Sequence, residues 1–223
     1  MEWQIYPKMN THLFLRNPEN TEIGKKIINI GAQLISENGI EFFTFKKLAD
    51  AIGSTEATIY RYFENKHKLL TYIVDGYWYW LDYQVVFHTN NIASAQQKLE
   101  IIIAILTSQQ PQTANQHFIN KAHLQKIIIT DSSKTYLTHQ VTEHNKNQLF
   151  KPYKDLCARI SQIILGLKPD YKFSKSLSSS LIEIAHFQEF FMINLPSLTD
   201  FGNDKDLKNL QYFLHSLVFG SLK

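Results

Sequence analysis

Apolar residues recur every three or four positions along most of the chain, a spacing typical of helices that bury one face. The first such run contains Ile23, Ile27, Ile30, Leu34 and Ile35. Asn20 or Thr21 can cap its start, because short polar side chains accept hydrogen bonds from the free N–H groups of a first turn. Asn38 and Gly39 supply a left-handed stop, so the pattern predicts a first helix between these two signals.

Two short helices are predicted next, separated by a glycine. Thr44 caps the first of them, and Gly53 ends it after about two turns. Ser54 or Thr55 caps the second, which extends to Phe63. The apolar positions that we expect to face inward are Phe45, Leu48, Ala49, Ile52, Ile59 and Phe63. Two short helices thus flank one tight turn.

Longer helices follow, and the whole chain is predicted to be all-α. Asn65 caps a fourth helix that continues to Phe87, and a fifth extends from Ser94 to Thr107. Later helices are expected at 115–129, at 133–167 with an interruption near Phe150-Lys151-Pro152, at 174–194 and at 204–220. The polar segment 108–112 is the clearest loop. The sequence lacks the alternation of apolar and polar residues between hairpin turns that predicts strands.

Composition and charge narrow the class of protein. Among 223 residues, 23 Lys+Arg against 20 Asp+Glu leave a net charge of +3, so any nucleic-acid contact is local. The single cysteine, Cys157, excludes an internal disulfide framework and a multi-cysteine zinc site. The longest apolar run, Ile101 to Leu106, is far shorter than the ~20 residues that cross a bilayer. Charges also interrupt the first twenty residues, so we expect a cytoplasmic protein without membrane contact. Because the sequence has no His-Glu-x-x-His or Cys-x-x-Cys motif, we expect no metal, and we expect no other cofactor.

Residues 44–63 carry the most specific pattern in the chain. A helix, a glycine turn and a second short helix form a helix-turn-helix, whose second helix enters the major groove of DNA. Helical hairpins with a glycine also occur in proteins that never touch nucleic acid. The pattern alone therefore suggests DNA binding without establishing it.

The residues around this pattern make it more specific. Within residues 20–75 they are the pair Leu48-Ala49, Gly53, the triplet Thr58-Ile59-Tyr60, the pair Tyr62-Phe63, Lys66 and the pair Leu69-Leu70. Together they resemble the N-terminal domain of the TetR (tetracycline repressor) family of transcriptional regulators. The chain beyond Phe87 matches no motif, although its length and number of predicted helices are similar to those of the family.

The resemblance implies both an organisation and a function. It implies an N-terminal arm at 1–20, a helix-turn-helix DNA-binding domain at 21–66 and a ligand-binding and dimerisation domain at 67–223. A homodimer would place two recognition helices in successive major grooves of a double-stranded DNA operator. An unknown small-molecule effector would change their separation. The expected protein is a ligand-responsive transcriptional regulator, in the first place a repressor that the effector releases.

The expected DNA-binding residues are Thr44, Ser54, Thr55, Glu56, Ala57, Thr58, Tyr60, Arg61, Tyr62 and Lys66. Thr44 stands at a helix N-terminus with free N–H groups, which suits a phosphate. Arg61 suits either a guanine edge or a phosphate. The exposed face of the recognition helix is expected to include Arg61 and Tyr62. The resemblance implies phosphate or groove contacts for Tyr60 and Tyr62, and a DNA-backbone contact for Lys66.

Some of these residues also have structural interpretations. Thr44 and Ser54 would cap helices whatever the function, and Tyr60 could simply pack. Glu56-Ala57 departs from the family, in which a basic residue followed by glycine is frequent. Glu56 repels phosphates unless it accepts a hydrogen bond from cytosine. This departure and the small net charge support an alternative, a dimeric small-molecule-binding or interaction protein without specific DNA binding.

The C-terminal half is expected to hold the effector and the dimer interface. The candidate residues of a ligand pocket are Trp80, Tyr83, Phe87, Phe118, Tyr153, Cys157 and His186. Residues of this kind at helical spacing more often fill a core, so both interpretations stay open for each of them. The last two predicted helices present a wide apolar surface that suits an isologous four-helix interface in a homodimer.

The N-terminal arm has two open interpretations. In one of them Lys8, His12 and Arg16 touch the minor groove, whereas in the other Trp3, Leu13 and Phe14 pack on the protein. Catalysis is not expected anywhere in the chain, because the sequence has no Gly-rich phosphate loop, no nucleophile elbow and no metal-binding pair.

Overall fold

The computed structural model describes residues 9–107, 119–202 and 207–223, and the regular elements in these ranges are helices. The α-helices are α1 (Glu22–Phe42), α2 (Phe45–Ile52), α3 (Glu56–Tyr60), α4 (Lys66–Thr89), α5 (Ala95–Thr107), α6 (Lys121–Asp131), α7 (Val141–Lys146), α8 (Lys151–Leu167), α9 (Ser174–Asn194) and α10 (Leu207–Ser221). Short 3-10 helices lie at Thr11–Leu13, Pro18–Asn20, Ser132–Thr135 and Pro196–Leu198. The predicted all-α fold class is confirmed. In these ranges, none of the helices combines the length and apolar character of a bilayer span.

One compact unit is formed by the described parts of residues 1–79 and 113–152. In it, α1 packs against α2 and α6, and α2 packs against α3. Its core includes the fully buried side chains of Ile27, Ile35, Leu48, Ile59 and Leu69. Burying a side chain of this size contributes about 1.5–3 kcal/mol, so the short α2 and α3 are stable because they share this core.

A second compact unit is formed by the described parts of residues 80–112 and 153–223. In it, α10 packs against α5 and α9. Arg159 on α8 binds the carboxylate of Asp82 through two hydrogen bonds, with Nε–Oδ1 at 2.6 Å and Nη2–Oδ2 at 3.0 Å. A bidentate pair of this kind fixes the orientation of both side chains. The pair therefore joins α8 to α4 at Asp82.

The two units differ from the domains expected from the sequence. Residues 119–152, expected in the larger domain, belong to the unit of the helix-turn-helix, because α6 packs along α1. The two units are defined by the contacts between residues, whereas the boundary expected between residues 66 and 67 separated a DNA-binding function from a ligand-binding function. That functional division stays a prediction.

Most predicted helices are present with bounds within a few residues of those expected. Thr21, Thr44 and Asn65 accept the backbone hydrogen bonds that cap α1, α2 and α4. The helix predicted at 174–194 is α9, with those bounds. The loop predicted at 108–112 and the first residues of two later helices lie outside the described residues.

The helix predicted at 133–167 is wrong in its first half. A 3-10 helix and the short α7 occupy that half, and α8 begins only at Lys151. The chain leaves the helical path after α7 because Gln148 has a φ of 56°. Pro152 lies in the first turn of α8, where a missing N–H leaves no hydrogen bond unmade.

Candidate nucleic-acid interface

The start of α2 presents polar groups to solvent. Thr44 is exposed, and its Oγ1 accepts a hydrogen bond from the N–H of Lys47 at 3.2 Å. Lys46 and Lys47 are also exposed, and Lys47 Nζ donates to the carbonyl oxygen of Phe42 at 2.8 Å. Positive charge and free N–H groups at a helix N-terminus attract anions. Thr44 is therefore accessible for the phosphate contact that its position predicts.

The turn between α2 and α3 depends on a glycine. Gly53 has φ 65° and ψ 42°, the left-handed conformation that other residues adopt only with strain. The N–H of Ser54 donates to the carbonyl oxygen of Ala49 at 2.9 Å, which closes the end of α2. This closure sets the direction in which α3 leaves α2, as the sequence predicts.

The short helix α3, predicted to be the recognition helix, exposes one side. Its exposed residues and those beside it are Thr55, Glu56, Ala57, Tyr60 and Arg61, while Ser54 and Thr58 are half-buried. Thr55 caps the helix, since its Oγ1 accepts the N–H of Thr58 at 3.3 Å and shares a hydrogen bond with Thr58 Oγ1 at 3.1 Å. Ile59, in contrast, is fully buried. An exposed front above a buried side is the arrangement with which a helix-turn-helix meets DNA.

Tyr60 lies at the end of this exposed side. Its side chain is 49% exposed, and its ring meets the ring of Phe45 edge-on, with 5.0 Å between centroids. Half of the side chain thus packs on α2 while the other half remains accessible. Packing and DNA contact, the two interpretations made from the sequence, are therefore compatible at Tyr60.

The prediction that Tyr62 lies on the exposed face is wrong. Tyr62 is 1% exposed, because α3 ends at Tyr60 and the chain turns inward. Its hydroxyl shares a hydrogen bond of 2.8 Å with Thr21 Oγ1, and the guanidinium of Arg16 lies 5.4 Å above its ring. Its carbonyl oxygen accepts the N–H of Leu15 at 2.8 Å. Tyr62 therefore joins the N-terminal arm to the end of α3 and is not available to a groove.

The geometry of Lys66 also argues against the DNA-backbone contact expected for it. Its Nζ donates to the carbonyl oxygens of Ile40 at 2.8 Å, Glu41 at 3.1 Å and Phe43 at 3.2 Å. An ammonium group has three N–H donors, so all of them are used within the protein. A cation at a helix C-terminus is favourable because the free carbonyl groups there carry partial negative charge. Lys66 is a cap of α1.

The described part of the N-terminal arm packs on the protein. Leu13 is 1% exposed, and the ring of Phe14 meets that of Tyr72 with 6.1 Å between centroids. Lys68 Nζ donates to the carbonyl oxygen of His12 at 2.9 Å. These contacts support the packing interpretation for residues from 9 onward, whereas Lys8 lies outside the described residues.

Two of the candidate pocket residues lie at the surface. Tyr83 is 42% exposed and Phe87 is 64% exposed, and their rings stack with 6.0 Å between centroids. This side of α4 is therefore open to solvent near the end of the helix. Trp80 is half-buried, and Phe118 lies outside the described residues. Helical spacing shows which residues share a face but not what covers that face.

The other three pocket candidates lie on two helices, Tyr153 and Cys157 on α8 and His186 on α9. Glu183 on α9, which the sequence analysis did not single out, connects the two helices. Tyr153 donates its hydroxyl hydrogen to Glu183 Oε1 at 2.7 Å. Burial raises the pKa of the Cys157 thiol to about 11, and burial lowers the pKa of His186 to about 4. Both groups are therefore uncharged at neutral pH, and the hydrogen bond between Tyr153 and Glu183 joins α8 to α9. Among the described residues, no group of three His, Cys, Asp or Glu side chains is arranged to hold a metal ion.

The last two helices keep apolar side chains at the surface. Leu181, Met192, Leu210, Leu214 and Val218 are buried, and they hold α9 and α10 to the second unit. Other apolar side chains of the same helices are exposed, namely Phe187 at 47%, Ile193 at 53%, Tyr212 at 74% and Phe213 at 38%. A cluster of large exposed apolar side chains is a frequent mark of a protein interface.

Comparison with known proteins finds a family that is similar to the segment with this geometry. The sequence profile of the bacterial regulatory proteins of the tetR family matches residues 27–73. No curated protein sequence matches the chain. The matched segment contains α2, the Gly53 turn and α3, which are the elements that carry the exposed side described above.

Solved structures share the fold over most of the chain. The fatty acid degradation regulator FadR from Bacillus halodurans has a TM-score of 0.58 and 18% identity, covering 86% of this chain and 92% of that one. AibR in complex with isovaleryl coenzyme A and operator DNA has a TM-score of 0.59 and 15% identity, covering 87% and 98%. A TetR-family transcriptional regulator from Bordetella parapertussis 12822 has a TM-score of 0.50 and 17% identity, covering 88% and 94%. Residues 27–73 thus match the tetR family of bacterial regulatory proteins, and most of the chain shares the helical fold of solved TetR-family transcriptional regulators.

Proposed function

We propose that this protein is a ligand-responsive transcriptional regulator that binds a specific DNA operator as a homodimer. The observation that carries the proposal is the exposed side of α3, with Thr55, Glu56, Ala57 and Arg61 held outward by the buried Ile59. A major groove about 12 Å wide admits such a helix, and side chains at its front reach the base edges.

The residues of this side have distinct roles in the proposal. Thr44 and the N-terminus of α2 bind a phosphate and fix the position of the domain on the duplex. Arg61 binds a guanine edge or a neighbouring phosphate. Glu56 accepts a hydrogen bond from a cytosine amino group, because a carboxylate facing a phosphate would be repelled. The bases that Glu56 and Arg61 contact would then set the operator sequence.

The homodimer forms through α9 and α10. Their exposed apolar side chains, with Phe187 and Tyr212 among them, match their own copies across a twofold axis, which gives an isologous four-helix interface. The two copies of α3 would read half-sites roughly 34–36 Å apart along the duplex. A protein that binds an operator in this way acts in the cytoplasm, where bacterial DNA is.

A small molecule held by the C-terminal half acts as the effector. It releases a repressor from its operator if it binds the released conformation more tightly, by about 1–3 kcal/mol for an ordinary coupling. AibR was solved with isovaleryl coenzyme A and operator DNA, and FadR regulates fatty acid degradation. Acyl-coenzyme A thioesters are therefore the first class of effector to test here.

Selection from a random duplex library tests the proposal. The full-length protein should enrich one palindromic sequence, bind it far more tightly than a scrambled duplex, and lose affinity as salt is raised, because phosphate contacts release counterions. Adding isovaleryl coenzyme A then tests release. If the protein enriches no sequence, the DNA-binding function is contradicted.

The same selection tests the alternative, a dimeric small-molecule-binding or interaction protein without specific DNA binding. The observation that favours this alternative is Glu56, a negative charge at the exposed front of α3. A dimer that binds a small molecule but enriches no duplex, even at low salt, would support the alternative.

A further inference from the structure

The end of α1 is broken at a glycine just before the helix-turn-helix. Gly39 has φ 77° and ψ 158°, outside the helical region, and the four residues from Ile40 to Phe43 then lead to Thr44. A break of this kind leaves the next N–H group without an acceptor in the helix. The conformation of residues 40–43 therefore depends on partners from other helices, and it decides where α2 begins.

Asp131, at the end of α6, supplies one of these partners. Its Oδ1 accepts the N–H of Ile40 at 3.2 Å, and its side chain is 2% exposed. The same carboxylate accepts hydrogen bonds from Thr130 Oγ1 at 2.6 Å and from Lys134 Nζ at 2.8 Å. Three donors therefore stabilise a buried carboxylate, which would be costly to bury without them.

Lys134 extends the contact to a second residue of the same segment. Its Nζ lies 2.6 Å from Glu41 Oε1, so one ammonium group joins Asp131 to Glu41. The hydrogen bond from Lys134 lowers the pKa of the Glu41 carboxyl, as expected for a charged pair. On the carbonyl side, Lys66 of α4 holds residues 40, 41 and 43. The segment is thus fixed by α6 on one side and by α4 on the other.

We propose that Asp131 is a positioning residue for DNA reading: its carboxylate holds Ile40, and thereby sets how α2 and α3 leave α1. The inference rests on the proposed function, and it assigns part of the DNA affinity to a side chain that touches no DNA. Because α6 also bonds to α1 through His123 Nδ1 and Ser36 Oγ, 2.6 Å apart, a shift of α6 would move the base of the helix-turn-helix. The position of α6 and the direction of α3 are coupled.

The test compares Asp131→Ala, Asp131→Asn and Asp170→Ala in the full-length protein. Asp170 is exposed, so its substitution controls for the lost charge. Amide hydrogen exchange of residues 39–44 reports on the held segment. Fluorescence anisotropy measures affinity for the duplex that the wild type selects and for a scrambled duplex of equal length.

The expected result has three parts. In Asp131→Ala, the Ile40 amide exchanges at least about tenfold faster, as expected for the loss of a hydrogen bond to a charged group. Affinity for the selected duplex falls by a factor of about ten, while affinity for the scrambled duplex is unchanged. Asp131→Asn keeps an oxygen acceptor and recovers part of both effects, and Asp170→Ala behaves as the wild type.

Other outcomes overturn the inference. Equal loss of affinity for both duplexes, or unchanged exchange at Ile40, would show that Asp131 has no positioning role. If Asp131→Ala fails to fold, Asp131→Asn takes its place. It must then show faster exchange of the Ile40 amide together with a loss of affinity confined to the selected duplex. A wild type that selects no duplex would contradict the proposed function instead. Failure of the proposed function is therefore seen in the wild-type protein, and failure of the inference about Asp131 is seen in its variants.

Discussion

At the scale of single residues, Asp75 shows how strongly burial controls chemistry. Asp75 lies in α4 at 2% exposure, and its Oδ2 has no hydrogen-bond partner among the described residues. Burial raises the pKa of this carboxyl well above its ordinary value, because the charged form loses its hydration. The folded protein therefore keeps a proton that an unfolded chain releases at lower pH.

The first prediction concerns the pH dependence that follows. When the folded-state pKa exceeds the unfolded value of about 3.9, the folded chain holds the proton more tightly, so stability falls as the pH rises between the two values. Asp75→Asn does not ionise and should lack this decline. Urea unfolding at several pH values above about 4 should show the variant gaining stability relative to the wild type. A difference that does not change with pH would mean that burial leaves this pKa unchanged.

Tyr60 and Tyr62 were both expected from the sequence to contact DNA, but their substitutions should have different effects on stability and on DNA affinity. Tyr62→Phe loses the hydrogen bond to Thr21 and should cost about 1 kcal/mol of unfolding free energy, without changing DNA affinity once the variant is folded. Tyr60→Phe should keep its stability and weaken DNA binding, because Tyr60 is accessible beside α3. Thermal unfolding and anisotropy on the same samples check both. Reversed effects would restore the DNA contact first expected for Tyr62.

The sequence could not reveal the roles of Tyr62 and Lys66, because their partners are remote. Thr21 is 41 positions from Tyr62, and Ile40 is 26 positions from Lys66. Periodicity describes neighbours along one helix and carries no information about such pairs. The exposed front of α3 was predictable because Thr55, Gly53 and Ile59 determine it locally.

At the scale of helices, the turn between α2 and α3 is the element on which the proposed DNA reading depends. Gly53→Ala should destabilise the protein by about 1 kcal/mol, because φ 65° strains any residue with a Cβ. No atom lies within 4 Å of an added Cβ, so backbone strain is the whole cost. Gly76→Ala, in the interior of α4 with equally open space, should stabilise by about 0.5–1 kcal/mol. Chemical unfolding of both variants checks the signs, and equal signs would contradict the account.

Helix bounds were predicted well wherever a local cap determines them. α2 lies between Thr44 and Gly53 as expected, and α9 has the expected bounds. The region of α7 was predicted poorly because Gln148 has a positive φ although it is not a glycine. The residue type at this position gives no sign of that conformation. Tertiary contacts decide such positions.

At the scale of the whole molecule, the homodimer is the property that the exposed faces of α9 and α10 predict. Phe187→Glu places a charge in the proposed interface and should convert a dimer into a monomer at micromolar concentration. Leu137→Glu, at a residue that is 74% exposed in the other unit, is the matched control and should leave the dimer intact. Light scattering after size exclusion measures both masses. A monomeric wild type, or a Phe187→Glu dimer, would contradict the interface.

The division of the chain into two compact units does not follow the order of the helices in the sequence. Residues 119–152 follow the fourth and fifth helices in sequence, yet they join the unit that contains α1 to α3. Ile40 and Asp131 are 91 positions apart, and no pattern in the sequence connects them. The class of fold and the exposed front of α3 could be predicted because they depend on local signals, whereas this arrangement depends on packing.

The central claim is that the exposed side of α3 binds DNA, and Arg61→Ala tests it most directly. In the proposed complex Arg61 contacts the duplex whether it binds a guanine or a phosphate, so anisotropy of Arg61→Ala with the selected duplex should show an affinity at least about tenfold lower than that of the wild type. Lys172→Ala, an exposed basic residue of the other unit, should bind as the wild type does. Unchanged affinity of Arg61→Ala, beside a wild type that binds the duplex selectively, would show that another surface of the protein reads the DNA.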